Sequence, residues 1–355
     1  MKKIYLFITT IIFIISIVSC GSNSDKKNEK ENKDKIVNQN DSSDIISSTP
    51  YEVKKDEVFN LAYKFNTGDS FKYRLTTTTS TSQNVVADST IANMFNQKII
   101  QILDFNTISV EHDTIAQLKC TITDIDVNRN IDGKTSSYKA GENPDSTKLN
   151  QFMEYAGILN NPFNVKVSTH GRIIDISNTN KLVNKFEKLM KLKKPLTKEE
   201  QKTLQNNFEE SFLKPMMTQI FREIPDKELK IGSTWNKSVP PSQILGFKFS
   251  YNNTFNLDNI EKVKEDRIAE ITGKSNITIE GKTKQVDRGV EYNFEKPLVS
   301  ASGKLFFNID KGLLYKSATG TNLEFNFSSQ MIGPKGLIKA NTNRKINNQN
   351  VAELL

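Results

Sequence analysis

His112 and His170 are the only imidazoles in the chain, so any Ser-His-Asp nucleophile or histidine general acid must use one of them. Each sits in a short polar run that reads as a turn, Glu111-His112-Asp113-Thr114 and Thr169-His170-Gly171, where a polar side chain is expected without catalysis. Asp124 and Asp126 could form a carboxylate pair of the glycosidase kind, but two residues apart on one strand they read as solvent-facing polar positions. Asp132-Gly133 lacks the spaced oxygen ligands of a calcium loop. No Gly-x-Ser-x-Gly elbow, phosphate-binding Gly-Lys-Ser/Thr, dinucleotide glycine fingerprint or His-Glu-x-x-His occurs. With two Cys, two His and one Trp in 355 residues, disulfide scaffolds, zinc clusters and iron–sulfur centres are excluded. The expectation is no catalytic residue, no cofactor and no metal, hence not an enzyme.

The two thiols differ in context. Cys120 falls in Ala116, Leu118, Cys120, Ile122, alternating with Gln117, Lys119, Thr121 and Thr123, and so belongs to the apolar face of a strand. Cys20 ends a segment that opens with Lys2-Lys3, continues apolar from Ile4 to Ile17 and closes on Ile17-Val18-Ser19-Cys20 before Gly21. That is a secretory signal over residues 1–19, too short for a comfortable membrane span. The Cys at the cut resembles the lipobox of bacterial lipoproteins, which implies a diacylated Cys20 as the mature N-terminus and a lipid anchor in the cell envelope. Several acyl chains, at roughly 0.8 kcal/mol per buried methylene, make such an anchor effectively permanent. Within that resemblance Gly21, where Asp would signal inner-membrane retention, points to the outer membrane. It leaves open whether the body faces the periplasm or the exterior.

A third group of chemistry-bearing residues is basic. Lys181, Lys185, Lys188, Lys191, Lys193 and Lys194 lie beside the apolar stripe Leu182, Val183, Phe186, Leu189 and Met190, with Glu187 the only acid among them. A basic amphipathic helix suits an anionic membrane surface. The plainer reading is a helix packed on the sheet with a solvated lysine face.

The elements that must carry these residues follow from pattern. Residues 20–58 are the lipidated Cys and a polar tether with 7 basic and 9 acidic groups from residue 21 on, unable to bury a core. Its 38 residues give a root-mean-square reach of about 30–35 Å. The chain carries 49 Lys+Arg against 41 Asp+Glu, net +8, and its basic surplus therefore resides in the body beyond residue 58; no nucleic-acid partner is expected for an exported, lipid-anchored protein. Strand alternation dominates that body, as in Phe71, Tyr73, Leu75 and in Leu323, Phe325, Phe327, and Gly333-Pro334-Lys335-Gly336 reads as a late hairpin turn. Helical spacing appears at 146–159, at 179–192 and from Thr197, whose Thr-Lys-Glu-Glu predicts a capping box with Glu200. Pro215 predicts a kink in the third helix.

Three landmarks recur in order in the two halves: Lys64–Phe71 with Leu229–Trp235, Val110–Ala116 with Val263–Ala269, and His170-Gly171 with Lys311-Gly312. They suggest a duplicated β-unit. With Lys64-Phe65-x-x-Gly68-Asp69-x-Phe71-x-Tyr73, the Gly turns and Gly232-x-x-Trp235, the chain resembles an uncharacterised family of bacterial lipoproteins. His170 and Lys311 depart from the Asp commoner there. The resemblance implies location and shape, not chemistry.

The expected fold is α+β and β-dominated: a large curved antiparallel sheet, or two pseudo-repeated β-units, with about three helices inserted between halves. The boundaries are 59–178 for the first β-rich unit, 179–224 for the helical insertion, 225–346 for the second unit and 347–355 for a tail. The expected function is an interaction or structural module binding an envelope protein or surface polymer. The alternative, prompted by 21 Phe, is a carrier of an apolar ligand such as a lipid in a half-barrel cavity.

Overall fold

The computed structural model describes residues 48–355 except 143, 144, 193, 288, 334 and 335. The signal segment, Cys20, most of the tether and Lys193 lie outside the described residues.

The chain forms one open sheet of antiparallel pairings. Its first half contributes β1 (Ser48–Pro50), β2 (Ser70–Val86), β3 (Thr90–Glu111), β4 (Ile115–Ile131), β5 (Lys134–Lys139), β6 (Phe163–Ser168) and β7 (Ile173–Ser177). The second half contributes β8 (Thr234–Ile244), β9 (Phe247–Val263), β10 (Asp266–Gly281), β11 (Lys284–Asp287), β12 (Val290–Phe294), β13 (Leu298–Asn308), β14 (Leu313–Gly333) and β15 (Gly336–Leu354). The order is β1-β9-β10-β13-β14-β15-β2-β3-β4-β6-β7, with β8 on β9, β5 on β4 and the β11–β12 hairpin on β14. Each half is thus a meander, β2-β3-β4-β6-β7 and β8-β9-β10-β13-β14, and β15 zips one to the other.

That role for β15 differs from the sequence expectation of a tail at 347–355. Asn347 to Glu353 pair with β14 on one side and β2 on the other. The Asn-rich stretch looks solvated in sequence, yet Asn348 and Asn350 point inward and accept from the Thr79 and Thr77 hydroxyls at 3.0 and 2.9 Å. A buried amide is tolerated when such a partner is supplied.

One sheet face carries the core. At one end of the strands, here the proximal end, aromatic rings bridge the two meanders. Phe307 of β13 meets Tyr63 at 5.2 Å, Tyr63 meets Phe221 at 5.8 Å, and Phe221 meets Phe105 of β3 at 5.4 Å. These rings gain from edge-to-face packing as well as burial. The strap 59–65 runs through it. Phe59 bridges Leu229, the Tyr63 N–H donates to the Thr169 carbonyl, and the Lys64 N–H donates to the Gly312 carbonyl. Adjacent residues of one segment therefore hold the corresponding turns of both halves.

The helices lie between the meanders, as expected, but in more pieces. The 146–159 segment divides into α1 (Ser146–Gln151) and α2 (Met153–Ile158), because Phe152 leaves helical geometry (φ −127°) to stack on Tyr138 under the Arg129 guanidinium. Next come α3 (Asn180–Met190) and α4 (Lys198–Phe208), the latter opened by the expected Thr197–Glu200 capping box. A π-turn over Glu209–Leu213 then leads into α5 (Lys214–Ile220). The π-turn is the form the Pro215 kink takes. It adds one residue to the turn, so that the buried stripe steps from Phe208 to Leu213, Met216 and Met217.

Candidate functional site

The β3–β4, β9–β10 and β13–β14 turns lie at the strap's end of the sheet, and the register sends the tips of the remaining long hairpins to the opposite end. These are the turns after β2, β4, β8 and β14, and the excursion through β11 and β12. Two of them are two-residue turns with positive φ at both positions, Asp132-Gly133 and Leu245-Gly246, the type that matches strand twist. Large apolar side chains left exposed collect at these tips: Val86, Ile91 and Met94 on the first, Ile131 on the second, Leu245 on the third, Val286 on the excursion, and Met331, Ile332, Leu337 and Ile338 on the last. Ile332 is 86% exposed and Val286 74%, values that burial-seeking side chains adopt only where nothing of their own chain covers them.

The β14–β15 hairpin reaches furthest. Its ladder continues to Gly333↔Gly336, whereas β2 stops pairing with β15 at Val86↔Asn341 and β12 stops on β14 at Gln330. Gly336 to Ala340 thus extend past the β2 edge, about 16 Å at the usual strand rise. Met331 pairs with Ile338 and Ile332 with Leu337, and alternation puts the first pair on the core-side face and the second on the outer face. The tip is apolar on both faces. Its sequence signal was the set of large apolar residues flanking Gly-Pro-Lys-Gly without alternation.

The residues singled out from sequence fall elsewhere. Cys120 is fully buried on the core face of β4, and burial pushes its thiol well above the usual range. His112 and Asp113 form the β3–β4 turn with φ of 49° and 56°. His170 sits in the β6–β7 turn with Nε2 3.2 Å from the exposed Asp226 carboxylate. Asp124 and Asp126 pair with Ile102 and Ile100 on the outer sheet face, Asp126 accepting from Asn128. Among the described residues no cluster of His, Cys, Asp and Glu could hold a metal, and no helix is long and apolar enough to cross a membrane.

The lysine row is only partly a surface. Lys181, Lys188, Lys191 and Lys194 are exposed and form no ion pair among the described residues. Lys185 departs from the expected membrane-facing row. It turns toward α2 and donates to the Leu159 carbonyl at 2.8 Å, and partial burial lowers its pKa. Glu187 accepts from the Leu196 N–H and the Gln201 amide, fastening α3 to α4.

Two depressions flank β5. One of about 440 Å³ is lined by Thr78, Asn96, Lys98, Asn128, Asn130 and neighbours, and one of about 320 Å³ by Ser136, Asp145, Lys148 and Gln151 among others. Both are lined by polar residue types, with no Phe, Ile, Leu or Val among them.

No curated protein matches this chain. Among solved structures it is similar to one of lipid–protein interactions in lipovitellin, at 11% identity and TM-score 0.37, covering 82% of this chain and 25% of that one. It is also similar to Pseudomonas aeruginosa OccK5 (OpdH), at 8% identity and TM-score 0.19, covering 80% of this chain and 98% of that one. The chain thus spans about a quarter of the lipovitellin chain, and at these scores neither likeness carries an argument about function. A family model matches residues 113–314, more than half of the sequence, and the chain belongs to that family, a family of unknown function (DUF6263).

Proposed function

We propose that this protein is a lipid-anchored, non-catalytic component of the cell envelope, held in the outer membrane through acylated Cys20 and working by contact through the distal hairpin tips. The observation that carries this reading is the gathering of exposed apolar side chains on those tips while the proximal core is filled by aromatic rings. The carrier alternative asks for a chamber lined by Phe and aliphatic side chains, and the two depressions beside β5 are open and lined by Thr, Ser, Asn, Gln and charged residues, which favours contact over enclosure. A non-catalytic role draws support from both histidines lying in turns at the proximal end. The common strand order of the two meanders, each with a glycine turn held by the strap, supports an origin by duplication.

The anchor is tested by replacing Cys20 with Ala in the full chain. We expect loss of incorporated acyl label and release of the protein from the membrane fraction. Retention of the label by the Cys20→Ala chain would remove the anchor from this reading.

A further inference from the structure

We propose that the β14–β15 tip is a lipid-inserting finger, a second membrane contact of the molecule independent of the acyl anchor, whose occupant is the interface of an anionic phospholipid bilayer. This deepens the contact role assigned to the distal tips and rests on it.

Three observations on the finger point to lipid. The first is its two-sidedness. A hairpin that docks on a protein surface needs one apolar face, whereas Met331 and Ile338 point to one side and Ile332 and Leu337 to the other. Such a tip is satisfied by a medium that surrounds it. The second is charge. From residue 325 to residue 352 the sequence carries Lys335, Lys339, Arg344 and Lys345 and no Asp or Glu; among the described residues Lys345 pairs with Glu324, and Lys339 stands exposed at the base of the finger beside Gln330. Anionic headgroups attract such a segment while the apolar residues enter the acyl boundary. The third is freedom. The finger stands clear of β2 and β12, so nothing of the fold must be displaced for it to enter a bilayer.

The backbone limits the depth. Met331 to Gly333 pair with Gly336 to Ile338, but the outer edges of both strands carry peptide groups without ladder partners there. Unpaired peptide groups are not accommodated in the hydrocarbon centre, so the finger seats at the interface, on the order of 5–10 Å deep.

The placement of the anchor makes this contact distinct. Ser48–Pro50 pairs with Glu261–Val263 at the proximal end. The finger lies at the far end of β14, whose 21 residues span about 70 Å. The 27 residues between Cys20 and Ser48 extend to at most about 90–97 Å. The chain from the acyl anchor therefore joins the body at the end opposite the finger, and its contour length exceeds the span of β14, so both contacts can be made at once.

The test uses the mature chain, residues 20–355, with Cys20→Ala so that no acyl group contributes. An Ile332→Cys substitution is labelled with an environment-sensitive nitrobenzoxadiazole dye; Cys120, fully buried, does not compete for it. With phosphatidylethanolamine–phosphatidylglycerol vesicles we expect a several-fold rise in emission with a blue shift, quenched by shallow rather than deep lipid-borne quenchers. The unlabelled Ile332→Asp/Leu337→Asp chain should fold, because both side chains are exposed, and bind these vesicles at least about tenfold more weakly. Unchanged dye emission at saturating lipid overturns the proposal. So does vesicle binding that survives the double substitution, or a dimer that the double substitution dissolves in the absence of any vesicle binding. None of these outcomes bears on the acylation of Cys20, which the label and fractionation experiment reads separately.

Discussion

Gly312 stands where the β13–β14 turn meets the strap, at φ 62°, and a β-carbon there would lie 2.5 Å from the Lys64 backbone nitrogen. The contact has a purpose: Lys64 donates its N–H to the Gly312 carbonyl and its ammonium to the Ile309 and Asp310 carbonyls, so the turn is clamped from both sides. Gly68, at φ 92°, has the same backbone requirement but open space around it. Gly68→Ala should therefore cost about 1–2 kcal/mol, the price of the left-handed region alone, and Gly312→Ala at least about 3 kcal/mol, because backbone must also move. Urea midpoints of the two variants measure the difference, and equal losses would remove the clamp from this account. The glycine landmarks were visible in the sequence, since Lys311-Gly312 and His170-Gly171 stood at matching places. Their close approach to the strap was not visible, because it depends on Tyr63 and Lys64, more than a hundred residues away from either turn.

At the level of elements, the helical insertion shows where local patterns suffice and where they fail. The Thr197 capping box and the disruption near Pro215 are local and were legible. The division of 146–159 at Phe152 was not, because it answers to Tyr138 and Arg129 on neighbouring strands. Nor was the inward turn of Lys185, which answers to the Leu159 carbonyl at the end of α2. The end of α5 is a further nonlocal case. The Tyr63 hydroxyl donates to the Ile220 carbonyl at 3.3 Å and accepts from the Arg222 N–H at 2.8 Å, so a side chain of the strap caps the last turn. Burial raises the Tyr63 phenol above its ordinary range and keeps it neutral, able to donate and accept at once. Tyr63→Phe leaves two buried backbone groups without a partner, and we expect a loss of about 1–3 kcal/mol with little change in the aromatic packing. Thermal unfolding reads the loss; a melting temperature matching that of the parent would show that water fills the hydroxyl's place.

For the whole molecule, period-2 alternation announced a large antiparallel sheet, and β2, β9 and β14 follow it closely. What alternation could not convey is that the inward face changes character along the strands. Beyond the proximal core lies a buried polar belt of Thr77, Thr79, Gln101, Ser317, Thr319, Asn348 and Asn350. Past the belt is a separate apolar cluster of Phe247, Phe249, Tyr251, Ala301, Leu323 and Phe325. The two apolar regions do not share one continuous core, and that makes the distal half a distinct cooperative unit. Phe325 is the test position, fully enclosed and edge-on to Phe249 at 6.4 Å. Phe325→Ala removes about 3–5 kcal/mol of packing from the distal cluster. If the belt separates the units, amide exchange should accelerate on the order of a hundredfold or more in the distal parts of β9, β13 and β14. The amides of Leu118 and Val165, in the proximal core, should keep their protection. Acceleration spread evenly over both regions would mean that the belt transmits packing rather than dividing it, and that the sheet opens as one unit. A distal half that loosens alone is also the half that bears the exposed tips, so the same substitution should alter contact at the finger before it alters the fold around the strap.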